Sequence, residues 1–405
     1  MGRSTLTATC TGASNTAVGY QALNGNTTGY DNTALGFRSL NVNTTGTRNT
    51  ALGSDTLKAC TTGEANVAIG LNSLYSLTTG DHNISLGRDA LDAVTTGEKN
   101  VAIGSYTLTD NTGGWNTAVG YAALEKNTTA GYNTAVGYKA GNSNTTGNGI
   151  VAVGYAALIN NTTASYNTAI GYDTLGDTTT GSDNTAVGYY ALQVNTTGNT
   201  NTAVGVGALD ANTTGYNNNA LGVNALGANT TGDYNSAIGD GAGVYITTGD
   251  NNTMLGRGSG GNSSPSGQIS THSNKVCLGN NSVEDIYCAD TSISSSDKRD
   301  KTDVVNFTHG LNWVNQLNPV TYRWDKRTWY DNNTPDGSKK RERKHIGFLA
   351  QDVLAIEGNP EKKDMMIVNL NADDTAYGLK YERLVPVLVN AIKELSAKVT
   401  ALEAA

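Results

Sequence analysis

The chain has 405 residues, a formal net charge of −8, and 49 glycines against only 5 prolines. An acidic balance with no basic run in the first 260 residues speaks against a nucleic-acid interface, and no apolar stretch approaches the roughly 18 residues that mark a membrane-spanning helix, so no membrane insertion is expected. Cys10, Cys60, Cys277 and Cys288 are too few and too scattered for a disulfide scaffold. His82, His272, His309 and His345 lack ligand spacing, so neither a metal nor another cofactor is expected.

Residues 1–14 have no hydrophobic core for a signal peptide and are too short for a substantial attachment domain. They are read as an N-terminal cap, with this end either covered by a partner protein or belonging to an incomplete product. From Asn15 a 17-residue motif begins, NTAVGYQAL…NTTG, and it recurs fifteen times with anchors from Asn15 to Asn252, one copy being a residue short before Asn116 and one carrying Ile150 as its anchor. Seventeen residues rich in Gly and Thr are too short for a helix-pair repeat, which needs roughly 33. Short parallel strands stacked at about 4.8 Å fit instead. The expected fold is therefore mainly β, a parallel β-solenoid shaft over 15–257.

Two apolar columns are expected to form its spine. One stands three residues after the anchor, from Val18 through Leu35 to Leu255, and the other eight after it, from Leu23 to Leu226, with Gly141, Gly243 and Gly260 as exceptions. The glycine following the first column is present in every copy. It either takes a positive φ at a bend or lets neighbouring backbones approach. With so few apolar residues per coil, lateral association, most economically into a trimer, would add buried surface.

Five residues after the anchor, Tyr121, Tyr138, Tyr155, Tyr172 and Tyr189 follow one another in successive coils. A stacked ladder would stabilise itself through ring contacts, or its flat faces would hold a sugar. The asparagines are expected to hydrogen-bond up the stack or to close Asx turns. Regular threonines raise ice binding, but the outward residues vary too much. A carbohydrate-degrading spike would need paired carboxylates, and no such pair recurs in the coils.

Residues 258–275 are Gly- and Ser-rich and read as a flexible connection. Within 276–296, VCLG and IYCA are short enough for two small strands; Cys277 and Cys288 are read as isolated thiols, with a disulfide or metal pair facing across those strands as the alternative. Beyond Ser296 the chain is charged and globular, with a core expected around Leu311, Trp313, Val314, Leu317, Val320, Tyr322 and Trp324. The basic run 339–344 reads as a solvated loop. The last segment carries a helical seam of Val385, Leu388, Ile392, Leu395, Val399 and Leu402. Its alternation of branched residues with Leu leans towards two strands, and its length makes it a short coiled coil at most.

Taken by spacing alone, Ser296 five residues before Lys301 is a weak catalytic signal. A serine nucleophile would need a desolvated, neutral lysine as proton acceptor, and Arg299 or backbone amides would support the oxyanion. The stretches SSDKRDKTDV (295–304), LNPVTYRW (317–324), HIGFLAQDV (345–353) and YERLVPVLVNAIKEL (381–395), in that order, resemble the intramolecular chaperone domain of phage endosialidases, tail fibres, tailspikes and neck appendages. The resemblance implies that 297–405 is a small α+β domain that trimerises the fibre, assists its folding and cuts itself away between Ser296 and Asp297. It makes Ser296 the nucleophile and Lys301 the proton acceptor. Asp300 stands where the family commonly has an apolar residue, and a neighbouring carboxylate favours charged Lys301, which works against a base.

Separately, NTAVG (15–19) and NVAIG (66–70) resemble the coils of trimeric bacterial adhesin heads, which implies a trimeric left-handed β-roll. The reading is thus a homotrimeric viral tail fibre or appendage, assembled in the host cytoplasm and carried on the virion. Its N-terminal end would join a virion attachment protein, and its shaft would meet a host surface glycan or protein. The alternatives are a bacterial surface adhesin, which needs a secretion signal and an anchor, and a fibre whose oligomerisation domain stays uncleaved.

Overall fold

The computed structural model describes residues 5–6, 10–283, 301–327, 330, 334–370 and 377–404. It separates into one unit of residues 1–261 with 270–278 and a second of 262–269 with 279–405. The first unit holds a 16-stranded parallel sheet in strict sequence order, from β1 (Thr16–Val18) to β16 (Val276–Leu278). Thr16, Ala17 and Val18 lie beside Thr33, Ala34 and Leu35, and the same register continues to the last pair. The shortened coil is absorbed without a slip, since Val101, Ala102 and Ile103 pair with Thr117, Ala118 and Val119. At about 4.8 Å per strand the ladder rises about 70 Å. The mainly β, parallel solenoid architecture read from the sequence is what the chain adopts.

Each strand is only three residues long, and side chains alternate between faces. The middle residue therefore points inward in every coil. Ala17, Ala34, Ala51 and their successors are buried, with Ser85, Met254 and Cys277 replacing alanine. This corrects the expected spine. The Leu23 column is core, fully buried, whereas the Val18 column lies on the outer face of the sheet, where Leu221 and Ile238 are each 50% exposed. Alternation about a buried alanine leaves no other place for it.

The corners are tight. Gly19 has φ +134°, and a Cβ there would collide with the carbonyl of Gly36, so both suggested roles of this glycine apply at once. The twelve core leucines sit in the left-handed region, from Leu40 at φ 48° to Leu158 at φ 53°. A non-glycine residue there costs roughly 1–2 kcal/mol, which burial of the side chain, worth about 1.5–3 kcal/mol, offsets. Where glycine replaces leucine, a neighbour grows. Ile150 reaches the space beside Gly141, and Ile246 and Met254 reach that beside Gly243.

Two columns of buried asparagine tie the coils together. In the anchor column the Asn32 amide N–H donates to Asn15 Oδ1 at 3.0 Å, and Asn32 Nδ2 donates to the Gly46 carbonyl at 2.8 Å. In the inner column Asn43 Nδ2 donates to Asn26 Oδ1, Asn161 to Asn144, and Asn229 to Asn212. The column is broken by Cys60, Leu77 and Val94 in three successive coils, then by Thr178 and by Ile246, and the oxygens left without a donor are Asn43 Oδ1, Asn161 Oδ1 and Asn229 Oδ1, each the last before a break. Burial pushes the Cys60 thiol up to about 12.

The described part of the N-terminal segment continues the stack, with Leu6 and Thr11 amides donating to Ala22 and Thr27 carbonyls. At the other end the structure differs from the sequence reading of 258–275 as a connection followed by a separate small sheet. Thr247, Asn251 and Thr253 meet Ser270, Asn274 and Lys275 across the stack, and β16 joins β15 (Thr253–Leu255). An enlarged coil, with partners 23 residues apart instead of 17, carries the ladder one strand further. The second expected strand and Cys288 lie outside the described residues.

The second unit contains α1 (Leu311–Val314), β17 (Val320–Tyr322) antiparallel to β18 (His345–Gly347), α2 (Ala350–Ile356), β19 (Val368–Leu370) antiparallel to β20 (Tyr377–Leu379), and α3 (Leu384–Glu403). Its core gathers Trp313, Val353, Leu354, Ile367, Val368, Leu384 and Val387. Trp313 is buried as expected, and Val314 and Leu317 pack against that core, whereas Trp324 is exposed. Among the described residues no helix is long and apolar enough to cross a membrane.

The broken inner column gives two opposed predictions. Thr178→Asn gives Asn161 Oδ1 a donor and Asn195 Nδ2 an acceptor, and should raise stability by about 1 kcal/mol; a lowered melting temperature would contradict the ladder. Leu124→Ala, beside Gly141, should cost about 2–5 kcal/mol. The Cys60 thiol, ordinarily titrating near 9, should resist alkylation at pH 8 until the chain unfolds. Because its folded value is raised, the stability it contributes is complete below about pH 9 and lost as pH climbs towards 12.

Candidate functional site

The junction read from the sequence falls where the description stops. Ser296, Asp297 and Arg299 lie outside the described residues, and Lys301 is exposed. Downstream, the chain is held firmly. Asn390 Nδ2 donates to the carbonyls of Phe307 and His309 at 2.8 and 3.2 Å. One turn along α3, Glu394 Oε2 accepts the Leu311 amide N–H at 2.9 Å. A Cβ on Gly310 would collide with that carboxylate, so glycine is what permits the approach. Residues 307–311 are thus fastened to α3, and the chain leading from the junction has a fixed end.

The pairing of β17 with β18 joins two of the stretches that carry the resemblance, LNPVTYRW and HIGFLAQDV. Tyr381 brings in the fourth, its hydroxyl accepting the Phe348 amide N–H at 3.1 Å. Glu357, at the end of α2, accepts the amides of Ile367 and Val368 at 2.6 and 3.3 Å and so seats β19. Sequence reasoning missed Asn390, Glu394, Glu357 and Tyr381 as positioning residues. The spacing of Asn390 and Glu394, four apart on one helix, put them on a common face; their backbone partners some 80 residues away left no pattern to find.

Helix α3 presents two sides. Leu384, Val387 and Ala391 are buried against the unit's own core. The predicted seam is exposed throughout, with Val385 at 58% and Ile392 at 67% and Leu388, Leu395, Val399 and Leu402 alongside. Among the described residues nothing covers it.

In the shaft, the tyrosines stack as a ladder. Tyr121, Tyr138, Tyr155, Tyr172 and Tyr189 follow with ring centroids 5.0–5.5 Å apart and planes within 20°. Tyr20 and Phe37 form a shorter version at 5.4 Å. Ring faces are therefore spent on one another. What remains outward is a row of edges and hydroxyls, which alters how a ligand would be met: by hydrogen bonding along the row rather than by stacking of a sugar between rings.

Residues 296–362 match the family model described as chaperone of endosialidase. No curated protein and no solved structure matches the chain. The chain therefore combines a chaperone-of-endosialidase domain with a long parallel β-solenoid, as a tail-fibre-like protein does. The matched span opens on Ser296, the residue at the expected junction.

Asn390→Ala and Glu394→Gln should each speed amide hydrogen exchange in 307–314 several-fold, the loss of a hydrogen bond worth about 1 kcal/mol. Exchange across β1–β15 should not change. Unaltered protection at Leu311 in both variants would contradict the clamp.

Proposed function

We propose that this protein is a homotrimeric virion fibre or appendage whose solenoid forms the shaft that meets the host surface and whose C-terminal domain aligns the chains and then detaches. The observation that carries the reading is the chaperone-family match opening at Ser296, in one chain with an unbroken parallel ladder. Such ladders have many near-equivalent registers one coil apart. A globular domain that trimerises at one end selects among them before the coils zip.

Self-cleavage gives each domain its final state. A Ser296 hydroxyl loses its proton to Lys301 as it attacks the carbonyl of the 296/297 bond. Attack by a serine on its own carbonyl would close a four-membered ring, so the attacking hydroxyl comes from another chain of the trimer. The amine of Asp297 leaves with a proton, and one water hydrolyses the ester. Loss of the folding nucleus then leaves the shaft kinetically trapped. The exposed seam of α3, from Val385 to Leu402, is the surface through which the chaperone domains join. The edge of the tyrosine ladder is the face offered to a host glycan or protein.

A second reading, an oligomerisation domain that stays attached, is favoured by Asp300 beside Lys301 and by the exposure of Lys301. Intact-mass measurement of the expressed chain separates the two. Fragments of residues 1–296 and 297–405, absent in Ser296→Ala and Lys301→Ala, are expected; an uncut parent chain contradicts self-cleavage and supports the second reading. For the ladder, a Tyr155→Ala, Tyr172→Ala double variant should keep its native mass and lose at least tenfold in binding to a panel of immobilised glycans. Equal retention of variant and parent would remove the ladder from host contact.

A further inference from the structure

We propose that the outer face of the sixteen-stranded sheet is the surface on which copies of this chain pack against one another, strand over strand and in register. The proposal rests on the trimeric reading above and names the face that the reading leaves open. Three observations carry it. The first is orientation. In every strand the residues flanking the buried middle position turn outward, so the aliphatic column from Val18 through Ile103, Ile170 and Leu221 to Leu278 forms one continuous stripe, exposed or half-buried along the whole ladder.

The second is charge. None of the outward positions of the sixteen strands carries a charged residue; beside the aliphatic column stand only Thr, Val, Ile, Ser and Asn. Charges are not scarce elsewhere in the coils. Arg38, Asp55, Asp89, Lys139 and Asp173 stand, among uncharged residues, at the left-handed corner six residues after the anchor, and Asp31, Arg48, Lys99 and Asp183 at the corner one residue before the anchor. Depletion of charge with enrichment of apolar groups is the compositional mark of an interface core, and a solvated sheet face has no reason to exclude charge from every strand.

The third is fit. Three residues of strand are about 10 Å wide and the ladder is about 70 Å long, so the stripe offers about 700 Å² per copy, close to the roughly 800 Å² per partner of a standard stable interface. A surface repeating every 4.8 Å or so is matched over its full length by a partner of the same period. A second copy of this chain meets that condition without further design, and unshifted register brings each coil against its own equivalent.

The outward positions do not hold the single chain together, so they can be changed without emptying its core. A Val153→Lys, Ile170→Lys double variant should keep the circular dichroism of the parent and shift from three-chain to one-chain native mass, while Thr146→Lys, at the exposed NTT corner, should stay trimeric. As a measurement independent of any loss of folding, Val153→Cys should be linked to Val153→Cys of another copy by a short bis-maleimide reagent at least tenfold faster than Thr146→Cys is to its equivalent. A double-lysine variant that stays trimeric, or linkage no faster at 153 than at 146 in a chain that is trimeric, overturns the assignment of the face while leaving the trimer standing. A parent chain that is monomeric before and after processing overturns the trimeric reading, and the face with it.

Discussion

The structure depends on one constraint: no coil can close most of its own hydrogen bonds or bury its own core. Seventeen residues supply one three-residue strand, a leucine, an alanine and one or two amides to the interior, and apart from tight-turn bonds such as that of Asn26 N–H to the Leu23 carbonyl, its ordered backbone amides look mostly to neighbouring coils for their acceptors. Stacking satisfies all of these at once. Asn32 illustrates the economy, since its backbone N–H donates to Asn15 Oδ1 in the preceding coil while its own side-chain oxygen accepts the Asn49 amide N–H of the next. Uniform repetition of that arrangement allows residues such as Leu23 to occupy left-handed backbone at every corner.

The same uniformity creates the assembly problem. Coils so alike leave register weakly specified, and the outward face, without a single charge, does little to distinguish one coil from the next. Irregular coils help. The shortened coil between β6 (Val101–Ile103) and β7 (Thr117–Val119) and the enlarged one before β16 occur once each, so a slipped pair of chains would mismatch at both. On the proposed reading, a separate domain with an exposed helical seam supplies the stronger selection, and within that domain Asn390 and Glu394 clamp residues 307–311 to the helix.

Much of the architecture was legible because the ladder imposes its period on the residues that make it. The 17-residue step, the leucine column and the asparagine ladders all read directly from spacing. The Val18 column was misplaced because large aliphatic side chains look like core and alanine looks like filler; the pleat of a three-residue strand decides otherwise, putting Ala17 inside and Val18 out. Exchanges such as Gly141 with Ile150 were unreadable until the two were seen to share a space. In the second unit, ordered motifs identified the domain, while Glu357, Asn390 and Glu394 were silent because they act on distant backbone amides and carbonyls, which carry no side-chain signature.

The central claim is that successive copies lie over one another with the leucine column inside and the valine–leucine–isoleucine column at three residues from the anchor outside. An electron cryomicroscopy map of the assembled protein, fine enough to separate coils, tests this most directly. The account predicts layers about 4.8 Å apart with Leu23, Leu40 and Leu57 enclosed by their own chain and Val18, Leu35 and Leu52 on its surface. A map with those two columns exchanged, or with antiparallel hairpins in place of layered coils, would contradict it.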